Sequence, residues 1–176
     1  MIGYLKQTIV NTIGYMNHYV FDLDDTLILH RNDIHYEWIC EDHVLTHYLK
    51  KCNGAKYIYT NGTIGHAEDV LDRMNITDEF HSVYSRDSFY QMKPSVVSAV
   101  RLHVDIRGHH EDKVIFFDDL HENLRTGKLL GWITVWISPT HELKEEYDHI
   151  DYAFTNIIDA LKYIQENDVM PSYDAI

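Results

Sequence analysis

Short apolar runs alternate along the chain with longer segments of helical spacing, and this alternation limits the fold more than any other feature. The clearest run, residues 113–117, is continuous in Val, Ile and Phe apart from its first lysine. Such runs predict strands that are buried on both faces, which is typical of a parallel sheet covered by helices. We therefore predict an α/β, Rossmann-like fold of three layers with right-handed crossovers.

The expected elements follow one another in regular order. Strands are predicted over residues 18–23, 56–59, 82–84, 113–117, 132–137 and 152–154. Helices are predicted over residues 36–51, 64–74, 94–103, 122–130 and 156–165, with Pro94 in the first turn of the third. In sheets of this kind ligands bind beyond the carboxyl ends of the strands, so functional residues are expected there.

The size of the chain suits a single domain. It has 176 residues and no linker rich in Pro, Gly or Ser. We predict one domain over residues 1–176, with a core of about residues 18–167. Residues 1–17 precede this core without an assignable role.

Composition argues against several classes of partner and compartment. A formal net charge of −13 disfavours broad binding to nucleic acid or to anionic membranes. Cys40 and Cys52 form no disulfide framework, which favours reduced thiols and a cytoplasmic location. The sequence has no apolar run long enough to span a membrane, no leader pattern, and no zinc-type spacing among its 13 histidines.

Two groups of acids follow predicted strands. Asp22, Asp24 and Asp25 come after the first strand, and Asp118 and Asp119 come after the run at residues 113–117. Clustered carboxylates repel one another, so a cation or a catalytic role is the usual reason to keep them together. Hard oxygen ligands of this kind suit Mg²⁺. The alternative is that each group is a solvated turn that caps the next helix.

Two further signals lie between these acidic groups. Thr60, Asn61 and Gly62 follow the second strand, where a hydroxyl and backbone N–H groups can hold a phosphate oxygen. Lys93 precedes a predicted helix and adds a positive charge. Each signal alone fits a turn or a solvated side chain, but the order of all four at four strand ends favours one site.

Together these signals resemble the motifs of the haloacid dehalogenase-like (HAD) superfamily. The resemblance extends from about residue 19 to residue 160, through Asp22-Leu23-Asp24-Asp25-Thr26, Thr60, Lys93 and Asp118-Asp119. The stretches at residues 60–62, 93–95 and 116–123 look most like those of nucleotidase-type phosphatases. The resemblance implies the HAD fold, Mg²⁺ as cofactor, and hydrolysis of phosphomonoesters.

The resemblance also implies roles for the motif residues. Asp22 would attack phosphorus to form an aspartyl-phosphate, and Asp24 would act as general acid and then as general base. Thr60 and the backbone N–H of Asn61 would bind the transferring phosphoryl group, and Lys93 would neutralise its charge.

The implied magnesium ligands are Asp22, the backbone carbonyl of Asp24 and an acid of the fourth motif. Asp119 is favoured as the direct ligand, because the related Gly-Asp form of this motif aligns on the second position. Asp118 would then orient waters around the ion.

Many superfamily members carry a cap domain over the site, and this chain has no room for a large one. The segment 26–60 fits one loop, one helix and one strand, and the segment 60–93 fits a helix, a strand and a loop. We expect an open site, which can accept a bulky substrate or be covered by a partner in a homo-oligomer. Arg31 and His121 are candidate substrate contacts, with solvated side chains as the alternative.

We therefore predict a magnesium-dependent phosphatase for phosphorylated small molecules, with nucleotides as one candidate class. One alternative is a phosphatase for a phosphoprotein or a nucleic-acid end, although the negative charge counts against nucleic acid. Another is a non-catalytic phosphate-binding protein on the same fold, because fold alone does not establish activity. Asp22, Asp24, Thr60, Lys93 and Asp119 are all present, which favours the enzyme.

Overall fold

The helices and strands are described from a computed structural model, which covers residues 16–28, 38–107, 112–167 and 169. The strands are β1 (Asn17–Phe21), β2 (Ala55–Tyr59), β3 (Ser82–Tyr84), β4 (Lys113–Asp118), β5 (Ile133–Ile137) and β6 (Tyr152–Phe154). The helices are α1 (His43–Lys51), α2 (Ile64–Arg73), α3 (Val96–Ile106), α4 (His121–Leu129) and α5 (Ile157–Glu166). Two 3₁₀ turns occupy Thr77–Glu79 and His141–Glu146.

All these strands pair in parallel in one sheet with the order β3-β2-β1-β4-β5-β6. From β1 the chain first adds β2 and β3 on one side of the sheet. It then adds β4, β5 and β6 on the other side of β1. Phe21, the last residue of β1, lies opposite Ile58 on one side and Phe117 on the other. The three strands therefore end nearly level, and the residues that follow them emerge at one edge. The predicted parallel α/β fold is confirmed.

Helices cover both faces of the sheet. On one face Phe21, Ile115 and Phe117 pack with buried residues of α1, α2 and α5. On the other face Val20 and Phe116 pack with buried residues of α3 and α4. The alternation of Ile115 and Phe117 with Phe116 explains why the run in β4 is apolar throughout. The two cores fix the positions of the strand ends.

The first predicted helix starts later than expected. The prediction of residues 36–51 was wrong at its N-terminus, because α1 begins at His43. The Asp42 side chain ends the preceding loop by accepting hydrogen bonds from the backbone N–H groups of Val44 (2.8 Å) and Leu45 (3.0 Å). Trp38 lies before the helix with 65% of its surface exposed, so it does not belong to the apolar helix face.

The third helix is also shifted relative to the prediction of residues 94–103. It spans Val96–Ile106, and Ser95 is its N-cap, accepting a hydrogen bond from the backbone N–H of Val97 at 3.2 Å. Pro94 lies before the cap instead of in the first turn. Lys93 is consequently in the loop that precedes the helix, where its position depends on tertiary contacts.

The described residues contain no separate cap domain. Between β2 and β3 the chain forms α2 and one 3₁₀ turn, and the described part of the connection from β1 to β2 contains α1. None of the described helices combines the length and the apolar character needed to cross a bilayer.

The loop before β2 approaches β1 closely at Gly54, and a substitution there tests this contact. Its φ of +156° and its position place an added Cβ 2.1 Å from the backbone oxygen of Asn17. Because backbone cannot move aside cheaply, Gly54→Ala should lower the free energy of unfolding by more than about 2 kcal/mol, measured by urea denaturation.

Gly65 provides the matched control in the first turn of α2. No described atom lies within 4 Å of an added Cβ there. Gly65→Ala should leave stability unchanged or raise it by up to about 1 kcal/mol, through the helix propensity of alanine. Equal stability changes in the two variants would contradict the close approach at Gly54.

Candidate functional site

A cleft lies at the carboxyl edge of the sheet, above the level ends of β1, β2 and β4. Four loops contribute to it, and they carry the four sequence signals. The residues that line the cleft are Asp22, Asp24, Asp25, Thr60, Asn61, Gly62, Lys93, Asp119, Leu120 and Asn123. The structure thus brings together residues that are up to about a hundred positions apart in the sequence.

A buried ammonium group joins two of these strand ends. The Nζ of Lys93 donates hydrogen bonds to Asp22 Oδ1 at 2.6 Å and to Asp118 Oδ2 at 2.7 Å. All three side chains are almost inaccessible to solvent. Burial by itself lowers the pKa of Lys93, but the carboxylates of Asp118 and Asp22 outweigh it, so the pKa lies above its ordinary value. Lys93 therefore remains a fixed positive charge beside Asp22.

The Asn61 side chain places Lys93 in this position. Its Oδ1 accepts a hydrogen bond from the Lys93 backbone N–H at 2.9 Å, and its Nδ2 donates to the Lys93 carbonyl at 3.1 Å. Asn61 was predicted only as a substrate contact through its backbone N–H. The structure adds a second use for it, since its side-chain amide fixes both backbone polar groups of the lysine.

Asp118 and Asp119 have different surroundings although they are adjacent. Asp118 is fully buried, and its Oδ1 accepts hydrogen bonds from the Leu120 N–H and from Asn123 Nδ2, each at 2.9 Å. Because Lys93 occupies the other oxygen, both oxygens of Asp118 are engaged. Asp119 is partly exposed and lines the cleft. The geometry leaves Asp119 more accessible to an ion than Asp118.

Asp22, Asp118 and Asp119 form an acidic cluster in which one oxygen of each lies within 4.8 Å of the others. Three carboxylates and the single ammonium of Lys93 leave two negative charges, which a divalent cation would balance. Burial, together with the charges of Asp118 and Asp22, raises the pKa of Asp119 to about 7. The oxygen ligands and the two uncompensated negative charges both fit Mg²⁺.

Both the backbone and the side chain of Asp22 are held by hydrogen bonds. Its backbone N–H donates to the Phe117 carbonyl at 2.9 Å, and Thr26 Oγ1 donates to its Oδ2 at 3.2 Å. Burial raises the pKa of Asp22 although the charge of Lys93 opposes this shift. The carboxylate thus faces the cleft in a fixed orientation, and the sequence had not indicated that Thr26 contributes to it.

Thr60 and Gly62 also line the cleft. Thr60 is buried, and its Oγ1 accepts a hydrogen bond from the Gly62 N–H at 2.9 Å. This bond turns the chain sharply after β2. The hydroxyl of Thr60 retains its own proton for donation toward the cleft.

Asp24 meets a residue that the sequence did not single out. His66 Nε2 lies 2.9 Å from one carboxylate oxygen of Asp24 and 3.2 Å from the other. His66 is in the first turn of α2, five residues beyond Asn61. No local pattern marks it, because the contact exists only after β1 and β2 have paired.

Of the two predicted substrate contacts, only His121 belongs to the part of the chain that the structure describes, and it is not among the described residues that line the cleft. Arg31 lies outside the described residues. His121 stacks on Tyr147 with ring centroids 4.1 Å apart, and it also contacts Trp136 and His149. His121 therefore packs in an aromatic cluster beside the cleft.

Comparisons with known proteins support the fold. No family model and no curated protein matches this chain. Among solved structures, it resembles YfnB, a proposed HAD hydrolase from Bacillus subtilis bound to magnesium, with 13% identity and a TM-score of 0.63 over 86% of this chain and 99% of the other. It also resembles the core domain of a proposed phosphoglycolate phosphatase from Streptococcus pneumoniae, with 14% identity and a TM-score of 0.58 over 86% and 97% of the two chains.

A third similar structure is L-2-haloacid dehalogenase from Xanthobacter autotrophicus. The identity is 15% and the TM-score is 0.58, with 74% of this chain matched. The match spans 63% of the dehalogenase, which is less than two thirds of its length. These similarities confirm the HAD fold that the motifs predicted. The closer likeness to nucleotidase-type members stays a prediction.

The buried lysine can be tested by its removal. Lys93→Met keeps the length of the side chain but leaves Asp22 and Asp118 without their shared cation. We expect the free energy of unfolding at neutral pH to fall by about 3–5 kcal/mol, as measured by urea denaturation. The loss should shrink as pH falls, because protonation of the carboxyls removes their repulsion.

Lys50→Met is the control, since Lys50 is largely exposed and lies 3.9 Å from Glu79. It should change stability by no more than about 0.5 kcal/mol. A Lys93→Met protein as stable as this control would show that the ammonium does not hold the two carboxylates together.

Proposed function

We propose that this chain, which has the fold of the HAD-superfamily hydrolases, is a magnesium-dependent phosphatase for phosphomonoesters. The observation that carries the proposal is the arrangement of Asp22 against Lys93, with Asp119 and Thr60 lining the same cleft. This arrangement supplies a fixed nucleophile, a positive charge and a phosphate-binding hydroxyl. Small phosphorylated molecules, nucleotides among them, are the proposed substrates in a cytoplasmic setting.

In the first step an oxygen of Asp22 attacks phosphorus, and the bond from phosphorus to the leaving oxygen breaks. Lys93 and the Thr60 hydroxyl stabilise the negative charge on the transferring group. Asp24, in its acid form, gives its proton to the leaving oxygen. The products of this step are an alcohol and an aspartyl-phosphate on Asp22.

In the second step a water molecule attacks the phosphorus of the aspartyl-phosphate. Asp24, now ionised, takes a proton from that water, and the bond between Asp22 and phosphorus breaks. Inorganic phosphate leaves, and Asp22 is regenerated. One residue thus acts as acid and base in turn, which requires that it reach both the leaving oxygen and the water.

The proposed magnesium ligands are Asp22, Asp119 and the backbone carbonyl of Asp24, with Asp118 in the outer shell. A bound Mg²⁺ supplies positive charge that lets an anionic substrate approach an anionic nucleophile. Asp118 serves this arrangement indirectly, because its hydrogen bonds to Lys93 and Asn123 keep it away from the cleft.

The fold is shared with a dehalogenase, so the fold does not distinguish phosphate ester hydrolysis from dehalogenation, and the side chains of the site must. A leaving alkoxide needs a proton, whereas a leaving halide does not. Asp24 lines the cleft, which supports its proposed role as the source of that proton. This favours phosphate ester hydrolysis over dehalogenation.

A second candidate is a phosphatase for a macromolecular substrate. It is favoured by the absence of a cap domain among the described residues, because a bulky substrate needs an open cleft. A partner in a homo-oligomer can cover the same opening. A purely phosphate-binding role is less well supported, because binding alone does not call for Asp24 beside the nucleophile.

The nucleophile is tested by Asp22→Asn, which keeps the shape of the side chain but removes its charge. Hydrolysis of p-nitrophenyl phosphate with Mg²⁺ should fall at least about a thousandfold, because no aspartyl-phosphate can form. Asp148→Asn, at a fully exposed position, should retain wild-type activity.

Equal turnover in the wild type and Asp22→Asn would refute the proposed nucleophile. If the wild type is active, a panel of nucleoside monophosphates, sugar phosphates and phosphopeptides separates the small-molecule substrate from the macromolecular one. Rates that are highest with phosphopeptides would favour the second candidate.

Binding of Mg²⁺ should depend on pH. The ion competes with a proton for Asp119, whose pKa is raised to about 7 by burial and the neighbouring carboxylates. Below that pKa the affinity for Mg²⁺ should fall about tenfold for each pH unit, and above about pH 7.5 it should level off. Calorimetric titration with MgCl₂ from about pH 6 to about pH 8 measures this dependence.

Asp119→Asn should bind Mg²⁺ weakly, and its affinity should no longer change between about pH 7 and about pH 8, because the remaining ligand Asp22 has a pKa of about 6. Asp78→Asn, at an exposed position, should behave as the wild type. An affinity for Mg²⁺ that is the same at both ends of the pH range would exclude Asp119 as a ligand.

A further inference from the structure

The contact between His66 and Asp24 connects α2 with the loop that follows β1. A single ring nitrogen, Nε2, lies within hydrogen-bonding distance of both Asp24 oxygens, at 2.9 and 3.2 Å. A nitrogen shared by two oxygens fixes the rotation of a carboxyl group as well as its position, because turning the group lengthens one of the contacts. The side chains of His66 and Asp24 are 27% and 32% exposed, and Asp24 also lines the cleft.

Hydrogen bonds to the backbone near His66 fix the position from which its ring reaches Asp24. Thr63 caps α2, and its Oγ1 accepts a hydrogen bond from the His66 backbone N–H at 3.2 Å. The start of the helix is also held by Asp87, whose Oδ2 accepts from the Ile64 N–H at 2.8 Å. The first turn of α2 is therefore anchored from two directions, and the ring extends from a fixed base.

Gly62 leaves the space that the contact requires. A Cβ on residue 62 would lie 3.0 Å from His66 Cδ2, 3.3 Å from Thr60 Oγ1 and 3.8 Å from Asp24 Oδ2. An added Cβ would be tight against the ring and the Thr60 hydroxyl, and it would be in ordinary van der Waals contact with the carboxylate. The φ of Gly62 is not in the left-handed region, so the demand at this position is for space.

We propose that His66 is a positioning residue, which orients Asp24 for proton transfer to the leaving group of a phosphate ester. This inference rests on the proposed function, in which Asp24 is the general acid and base. The imidazole does not touch the substrate in this role. It holds the carboxyl in the orientation from which the proton can reach the leaving oxygen, and a small misplacement of such a group reduces the rate strongly.

The role has a consequence that depends on the leaving group. p-Nitrophenolate is stable without a proton when it leaves, whereas the alkoxide of an alkyl phosphate needs one. Loss of the positioning contact should therefore slow the cleavage of alkyl phosphates more than that of aryl phosphates. The parameter kcat/KM isolates this effect, because it reports only the steps up to the release of the first product.

The experiment compares kcat/KM for p-nitrophenyl phosphate and glycerol 2-phosphate in the full chain with Mg²⁺. His66→Leu removes the hydrogen-bonding nitrogen, and His66→Gln retains an N–H donor of similar reach. We expect His66→Leu to lose about tenfold or more with glycerol 2-phosphate and less than about threefold with p-nitrophenyl phosphate. His66→Gln should recover most of the loss.

His47→Leu, at an exposed position of α1, is the control and should leave both values unchanged. Thermal unfolding of each variant checks that the proteins are folded under the assay conditions. A leaving-group difference in His66→Leu that His66→Gln reverses would support the positioning role.

An equal loss on both substrates, no loss, or a His66→Gln variant as impaired as His66→Leu would overturn the inference and leave the proposed function intact. Hydrolysis of only the aryl ester by the wild type would also overturn it, because an oriented acid should serve the alkyl ester. Absence of wild-type turnover on both esters, or turnover that persists in Asp22→Asn, would overturn the proposed function and this inference together.

Discussion

The site depends on one buried ammonium group that two strand ends share. Lys93 reaches Asp22 after β1 and Asp118 at the end of β4, and without it two buried carboxylates would face each other. Such a group is costly to bury, and the cost is offset only because every polar atom of the arrangement has a partner. Asn61 holds the backbone of Lys93. The loop that carries Lys93, before α3, therefore depends on the loop that carries Asn61, after β2.

The parallel sheet makes this arrangement possible, because it ends β1, β2 and β4 at nearly the same level. Phe21 pairs with Ile58 and Phe117 in register, and the functional residues follow directly. A shift of one residue in either pairing would move the strand-end carboxylates away from Lys93 and turn alternate side chains to the opposite face. The apolar residues within β4 therefore position the site even though they contribute no chemistry.

Much of this organisation could be predicted from the sequence, since strands buried on both faces and acids at their ends are local patterns. The predictions for the strands at residues 82–84 and 152–154 were confirmed at both ends. The start of α1 could have been read from Asp42, which is a common N-cap residue before an apolar helix. The contacts of Asn61 with Lys93 and of His66 with Asp24 could not be predicted, because each joins loops that meet only in the folded sheet.

Asp22 and Asp24 are two residues apart, yet the structure gives them surroundings suited to different tasks. Asp22 is buried and accepts hydrogen bonds from Lys93 and Thr26, which hold it as a fixed carboxylate. Asp24 is partly exposed and contacts His66, which fits the proposed role of an acid and base at the edge of the cleft. Different environments for neighbouring carboxyls are what allow one to act as a nucleophile and the other as an acid and base. In the proposed mechanism Lys93 therefore supports the nucleophile and His66 supports the acid and base, although the two aspartates are separated by a single residue.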